Sequence, residues 1–274
     1  MAAAVTRFIL LDADPAVDPV SIAVFRFGLG FLILLPVALA LRSRWPRGRD
    51  WIGVAALGVM FYGVFFVVYA EALVYTTAAR GSLAVSTLPV LTMIVAALLG
   101  REQLTARKIL GVLIAMSGVA VALAAGLAEA PAQAWRGDLI MTAGMLSMAL
   151  YNVLSRPFMQ RSSPLAYATA GMAFGGGVNA ILVLQSGGFA AVASFGAAQW
   201  AAVLYLGVFA GALGFYLWVY ALERATPTRV ANTITVSPIA AALLGAVLLG
   251  EPIGASLLIG IAAVALGIWI ASTQ

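Results

Sequence analysis

The chain has no cysteine and no histidine, and only 9% of its 274 residues are charged. The first absence excludes disulfides, thiolate nucleophiles, haem ligation and His-ligated metals. Without His, Cys or an acid in the middle of an apolar run, the nucleophile–base pair or metal cage of a membrane enzyme cannot be assembled, and no cofactor is expected. The shortage of charge decides the solvent. A soluble domain carries about 25% charged residues to keep its surface wet, whereas here 64% of residues are hydrophobic. Lipid must cover most of this surface, and in lipid only helices and closed barrels satisfy their own backbone groups. The alternating segments of about ten residues that mark barrel strands are not seen in the sequence. Apolar runs of about 20 residues, the length of a membrane-crossing helix, recur throughout.

Charge, Pro and Gly divide the chain into Met1–Leu11 (short), Val20–Leu41, Trp51–Ala70, Thr77–Leu99, Leu104–Leu127, Asp138–Phe158, Leu165–Leu184, Gln199–Leu222, Thr228–Leu249 and Ile253–Ala271, here spans 1 to 10. The loops are short, so neighbouring spans are antiparallel. With the N-terminus in the cytoplasm, the loops on that side hold Arg42, Arg44, Arg47, Arg49, Arg101, Arg107, Lys108, Arg156, Arg161, Arg224 and Arg229, 11 of the 15 Lys and Arg. The opposite loops hold Arg80 and Arg136 and collect Asp12, Asp14 and Asp18. This bias predicts a multi-pass inner-membrane protein with both termini cytoplasmic, and it accounts for the net charge of +5 without a nucleic-acid partner.

Sliding the chain against itself places Pro89 on Pro238, an offset of 238 − 89 = 149. Without a gap, Trp51 then falls on Trp200, Gly58 on Gly207, Phe66 on Phe215, Arg80 on Arg229, Glu102 on Glu251, Gly111 on Gly260 and Gly118 on Gly267. Matches of rare Trp, Arg, Glu and Pro are not chance apolar coincidences. Residues 1–127 and 128–274 therefore read as two repeats of five spans each. Five is odd, so the second copy enters the membrane inverted: an all-α protein of ten transmembrane helices in a 5+5 arrangement. Inverted repeats are a transporter plan, with the substrate near the midplane; a scaffold or receptor does not need that symmetry. One chain supplies both halves, which predicts a monomer. At the same offset Arg7 falls on Arg156, which lies 156 − 138 = 18 residues after the start of span 6. Span 1 is thus expected to be truncated, lacking roughly a dozen residues at its N-terminus; the alternative is a short, half-inserted helix.

Polar residues on the spans are the candidates for transport. Arg229, Asn232 and Thr235 recur every three residues on one face of span 9, and Arg80, Leu83 and Ser86 are their counterparts in span 4. Such stripes either line a substrate path or bond neighbouring helices. Pro89 and Pro238 are expected inside spans 4 and 9, as hinges or as static bends. Tyr62 and Tyr69 share a face of span 3, and Tyr216 stands four residues before Tyr220 on span 8, with Trp218 the counterpart of Tyr69. Part of this set belongs to interfacial belts; the deeper rings suit a pocket for apolar side chains. Ser147, Tyr151 and Ser155 form a face of span 6 with Asn152 beside it. Arg26 lies about 10 Å into span 2, where it snorkels, holds a substrate carboxylate, or pairs with an acid such as Asp18. Gly171–Gly175 and Gly207–Gly211 have the GxxxG spacing of close helix packing. Asp138, Glu71, Glu102, Glu223 and Glu251 all lie near span ends, so no acid is placed for proton coupling.

Several stretches are familiar as a set. LWVYALERATPTRVANTITVSPIAAALLGAVLLGE (Leu217–Glu251), its first-half counterpart YAEALVYTTAARGSLAVSTLPVLTMIVAALLGRE, SIAVFRFGLGFLILLP in span 2 and ALYNVLSRPF in span 6 resemble EamA-type members of the drug/metabolite transporter superfamily. The resemblance implies ten helices and the export of small metabolites, amino acids with apolar or aromatic side chains in particular, as in YddG-like proteins. The candidate substrate-binding residues are then Tyr62, Tyr69, Ser86, Tyr151, Asn152, Tyr216, Trp218, Asn232 and Thr235. The alternatives are an organophosphate or nucleotide-sugar exchanger, which needs cations converging on phosphate, and a drug efflux carrier.

The missing cysteines make topology testable without a background to remove. Single variants Ser43→Cys and Gln133→Cys stand in loops of opposite expected side. A membrane-impermeant maleimide should label Gln133→Cys in intact cells, and Ser43→Cys only after permeabilisation; the reverse pattern overturns the orientation.

Overall fold

Three helix starts are written in the sequence as an oxygen-bearing side chain followed by proline. Asp18 Oδ1 accepts from the Val20 amide (2.9 Å) ahead of Pro19, Ser163 Oγ from Ala166 (3.3 Å) ahead of Pro164, and Thr226 Oγ1 from Arg229 (3.4 Å) ahead of Pro227. The side chain satisfies an amide that the first turn leaves open, and proline brings a helical φ at a position that needs no N–H. The computed structural model describes Val5, Thr6, Ile9 and residues 17–76, 78–122, 133–189, 192, 194–237, 239–240 and 255–272. Among these, all regular structure is helical. Five stretches are long and apolar enough to cross a membrane: Val20–Ala40, Asp50–Tyr69, Ala134–Arg161, Pro164–Ser186 and Ala197–Arg224. They correspond to spans 2, 3, 6, 7 and 8. Leu83–Leu98 and Leu258–Ala271 are shorter apolar helices within spans 4 and 10.

Spans 3 and 8 share an irregularity. Each is an α-helix that widens into a π-helical segment and then resumes, at Val59–Phe65 and at Leu206–Leu213. Moved back by the offset of 149, the second segment covers 57–64, so the two widenings occupy matched positions. Widened turns free backbone groups and recur at functional sites.

Span 4 corrects an expectation. Helix Ala78–Val85 ends, the Ser86 and Thr87 amides bond back to the Leu83 and Ala84 carbonyls (both 3.0 Å), and Leu88–Leu98 begins afresh. Pro89 therefore sits in a first turn rather than in a helix interior. Its missing N–H breaks nothing there, and the bend lies in the tight turn before it. Span 9 behaves alike: Pro227–Asn232 passes into a 3₁₀ turn at Thr233–Thr235. Pro238 and Glu251 lie outside the described residues.

Packing divides the chain into two compact units, each drawing on both halves of the sequence. The first comprises Met1–Ala70 and Leu154–Arg224. In it, helix Pro19–Ala40 packs on Pro164–Ser186 and on Leu206–Leu213, and Pro164–Ser186 packs on Val59–Phe65. Glycines permit these crossings. A Cβ at Gly175 would stand 2.6 Å from Tyr62 Cβ, and one at Gly211 2.5 Å from the Arg26 carbonyl oxygen. These are one contact made twice, since 62 + 149 = 211 and 175 − 149 = 26.

The second unit comprises Glu71–Val153 and Ala225–Gln274. Its tightest crossing joins helices Ala106–Ala122 and Ala255–Ser272. A Cβ at Gly111 would lie 2.7 Å from the Gly267 carbonyl oxygen, and one at Gly118 2.9 Å from that of Gly260. The pairing runs in opposite directions along the two helices, so they are antiparallel.

Polar contacts then tie loops together within each unit. In the first, Arg161 grips Asp50 through two 2.8 Å bonds and the Ser163 amide donates to the Arg44 carbonyl (2.8 Å), while Ser21 donates to the Gly188 carbonyl (2.8 Å). In the second, Glu102 pairs with Lys108 (3.0 Å) and accepts from the Thr228 amide (3.0 Å), while Thr76 donates to Asp138 (2.9 Å). Each contact joins loops of the same parity along the chain, as alternating antiparallel spans require.

The glycine crossing can be broken deliberately. Gly111→Val should destabilise the fold by about 1–3 kcal/mol through overpacking, read as a lower unfolding midpoint in detergent. Gly177→Ala, where a Cβ meets nothing within 4 Å, should leave the midpoint unchanged or slightly raised. Equal midpoints for the two variants would remove the crossing from the account of stability.

Candidate substrate-binding site

The sequence-derived site residues fall into two groups, one in each unit. In the first unit Tyr62 is fully buried in the π segment of span 3, its ring packed edge-on against Phe27 (5.1 Å), Phe61 (4.9 Å) and Phe215 (5.5 Å). Its carbonyl accepts from Asn179 Nδ2 at 3.1 Å. Tyr69 is half-buried, 6.1 Å from the Phe65 ring and 6.4 Å from Phe66. Tyr216 and Trp218 are half-buried, and Tyr216 stands beside Tyr220 (6.0 Å). Trp51 and Trp200, matched near the starts of spans 3 and 8, are 36% and 41% exposed, as interfacial anchors are.

Sequence reasoning missed the centre of this unit. The rings of Phe66 and Phe215 meet edge to face at 5.5 Å and 87°, with Phe27 4.7 Å from Phe66 and 5.8 Å from Phe215. The Arg26 guanidinium lies over all three, 4.7 Å from Phe66, 5.3 Å from Phe215 and 5.6 Å from Phe27. Cations are held on aromatic faces by the ring quadrupole. Arg26 Nη2 donates to the Ala210 carbonyl at 3.3 Å, inside the π segment of span 8. The expectation that Arg26 snorkels is thereby corrected: the widened turn offers it a carbonyl deep in the unit. Pairing with Asp18 is corrected too, since Asp18 caps its own helix. One signal was available: Phe66 and Phe215 are matched at the repeat offset, and matched residues here face each other.

In the second unit Ser86, Tyr151, Asn152, Asn232 and Thr235 are all fully buried. The Thr235 hydroxyl donates to the Asn232 carbonyl (2.7 Å) within its own turn. Asn232 is different. Among the described residues neither its Nδ2 nor its Oδ1 has a hydrogen-bond partner. Thr228 Oγ1, one turn earlier on the same face, and Thr92 Oγ1, on the packed helix Leu88–Leu98, are also buried without one. The same unit holds a cavity of about 560 Å³ walled by Leu83, Thr87, Met116, Ser117, Asp138 and Thr142 among others, within the size range of small-molecule pockets. Of the polar stripe of span 4, Leu83 reaches that wall and Ser86 does not; the Arg80 side chain lies outside the described residues. Among the described residues, no group of His, Cys, Asp and Glu is placed to hold a metal.

Comparison with known proteins gives this architecture a family. The model of the EamA-like transporter family matches residues 1–124 and 135–273. An uncharacterized protein of Pseudomonas aeruginosa is 32% identical over 242 residues, covering 88% of this chain and 79% of its own. The uncharacterized transporter YyaM of Bacillus subtilis is 25% identical over 259 residues, 93% of this chain and 85% of its own. A protein of Streptantibioticus cattleyicolor described as a probable terminal-alkyne amino-acid exporter is 29% identical over 229 residues, 81% of this chain and 75% of its own. One crystal structure superposes with a TM-score of 0.79 at 21% identity, over 99% of this chain and 91% of that one, a likeness of fold alone. With membrane-length helices and a family match over nearly its whole length, this chain is a multi-pass membrane protein that belongs to the EamA-like transporter family.

Proposed function

We propose that this transporter exports amino acids with apolar or aromatic side chains across the inner membrane, by alternating access of two inverted five-helix repeats. The observation that carries the reading is Asn232. A buried amide with no partner among the described residues costs about 1–3 kcal/mol of desolvation until a ligand supplies one. An amide offers an acceptor that suits an ammonium, beside two donors. Thr228 and Thr92 add hydroxyls with spare capacity, and the exporter from Streptantibioticus cattleyicolor lends the amino-acid class. The repeat-matched glycine crossings and the family match on each side of residue 130 support the 5+5 arrangement. Transport is downhill in this reading: Glu102 is engaged by Lys108 and the Thr228 amide, and Asp138 by Thr76. Pro89, which follows a tight turn, and its sequence counterpart Pro238 serve as the pivots, a monomer sufficing.

Counterflow in proteoliposomes tests this. Vesicles loaded with mixed amino acids should take up labelled alanine, methionine and phenylalanine without an ion gradient; uptake that requires an imposed proton gradient would overturn the uncoupled mechanism. Asn232→Leu, which removes two unsatisfied atoms at similar volume, should abolish exchange while leaving the unfolding midpoint unchanged or higher. A lower midpoint with normal exchange would make Asn232 a structural hydrogen-bonding residue.

A further inference from the structure

Arg26 is a cation in an apolar unit, and among the described residues it forms no ion pair with an acid. Of its nitrogens, Nη2 donates to the Ala210 carbonyl, and Nε is buried with no partner among the described residues. Among the described residues, the titratable groups that act on it are the phenols of Tyr69 and Tyr205, without a carboxylate. Ala210 lies 210 − 197 = 13 residues into the 28-residue stretch Ala197–Arg224, so the charge sits near the middle of a span, where an ionised side chain marks a substrate path unless it is paired.

A purely structural account does not explain the charge. Both π segments have one carbonyl taken by a side chain from a crossing helix: Ala210 by Arg26 and Tyr62 by Asn179. In the second case a neutral amide suffices. At the position matched to Arg26 the other repeat has Gly175, so the crossing itself needs no cation. The backbone crossing is matched at the offset of 149 and the charge is not. Such an asymmetry fits a ligand, which has one charged end, better than a fold made of two like halves.

We propose that Arg26 anchors the carboxylate of the transported molecule, with Phe27, Phe66 and Phe215 orienting the guanidinium and offering an aromatic wall to its side chain. The inference rests on the small-metabolite exporter reading. Arginine suits the task because its planar fork meets both oxygens of a carboxylate and stays charged when desolvated. Cation–π contact on the ring side leaves the edge of the guanidinium for an anion.

The test compares acids with their matched amides on the full protein. L-phenylalanine and benzoate should raise the unfolding midpoint of the wild-type protein in detergent; L-phenylalaninamide and benzamide should not. Arg26→Gln, which keeps a donor for Ala210, should lose the response to both acids, and Arg26→Lys should retain part of it. In counterflow, Arg26→Gln should raise KM for phenylalanine at least tenfold. Acid and amide acting alike on the wild-type protein would overturn the proposal even if no variant folds, as would an acid preference that survives in Arg26→Gln. If benzoate discrimination depends on Arg26 while no amino acid exchanges, the anchor stands and the amino-acid reading falls.

Discussion

Close approach of backbones at glycine is the constraint on which this architecture depends. Between helices in lipid there is no hydrophobic force, because the tails are as apolar as leucine; adhesion comes from van der Waals contact at short range. Leu98 and Ile52, at 80% and 72% exposed, are left outward at no penalty in such a solvent. The contacts that hold each unit are those where a side chain would not fit: Gly58 on Gly171 and Gly175 in the first, Gly111 and Gly118 on Gly267 and Gly260 in the second. Tyr62 follows from this. Its ring is buried at a helix crossing only because Gly171 has no Cβ to meet it, 2.8 Å from Cε2.

Residues matched at the offset of 149 recur in these contacts. Gly111 matches Gly260 and Gly118 matches Gly267, yet the neighbours in space are Gly111 with Gly267 and Gly118 with Gly260. Exchange of partners is what two like segments do when they cross antiparallel. Phe66 and Phe215, themselves matched, meet directly. A residue that breaks the pattern is therefore informative, because the matched backbone contacts do not demand it. Arg26 opposite Gly175 is such a residue.

Much of the framework was legible in the sequence for simple reasons. The Asp18, Ser163 and Thr226 caps each precede proline, and the GxxxG pairs announced the close contacts of Gly171, Gly175, Gly207 and Gly211. Three things were not legible. The π segments leave no periodic trace, since a single widened turn shifts the apolar face without changing composition. The break before Pro89 was misplaced into a helix interior because a proline pattern does not say on which side of the ring the tight turn lies. The bond that Arg26 makes was not among its three readings because its partner is a backbone carbonyl in one of those widened turns, and a carbonyl has no letter in the sequence.

The two explanations of the polar stripes, helix glue and substrate lining, can be weighed by where the hydroxyls point. Thr233 donates to Val230 (2.7 Å), Thr235 to Asn232 (2.7 Å), Thr87 to Ala84 (2.6 Å), Thr169 to Leu165 (2.7 Å) and Thr142 to Asp138 (2.7 Å). All are bonds to a carbonyl three or four residues earlier on the same helix. A hydroxyl satisfied within its own helix contributes nothing to joining two helices, yet it keeps an acceptor lone pair turned outward. Stripes built this way make a bundle polar inside without locking its helices together. Threonines satisfied within their own helix leave neighbouring helices freer to slide or rock, which is what a carrier requires. The Asn232 amide, without a partner among the described residues, then has a physical reason to persist: an interhelical bond would satisfy it and tie down helices that a carrier has to move.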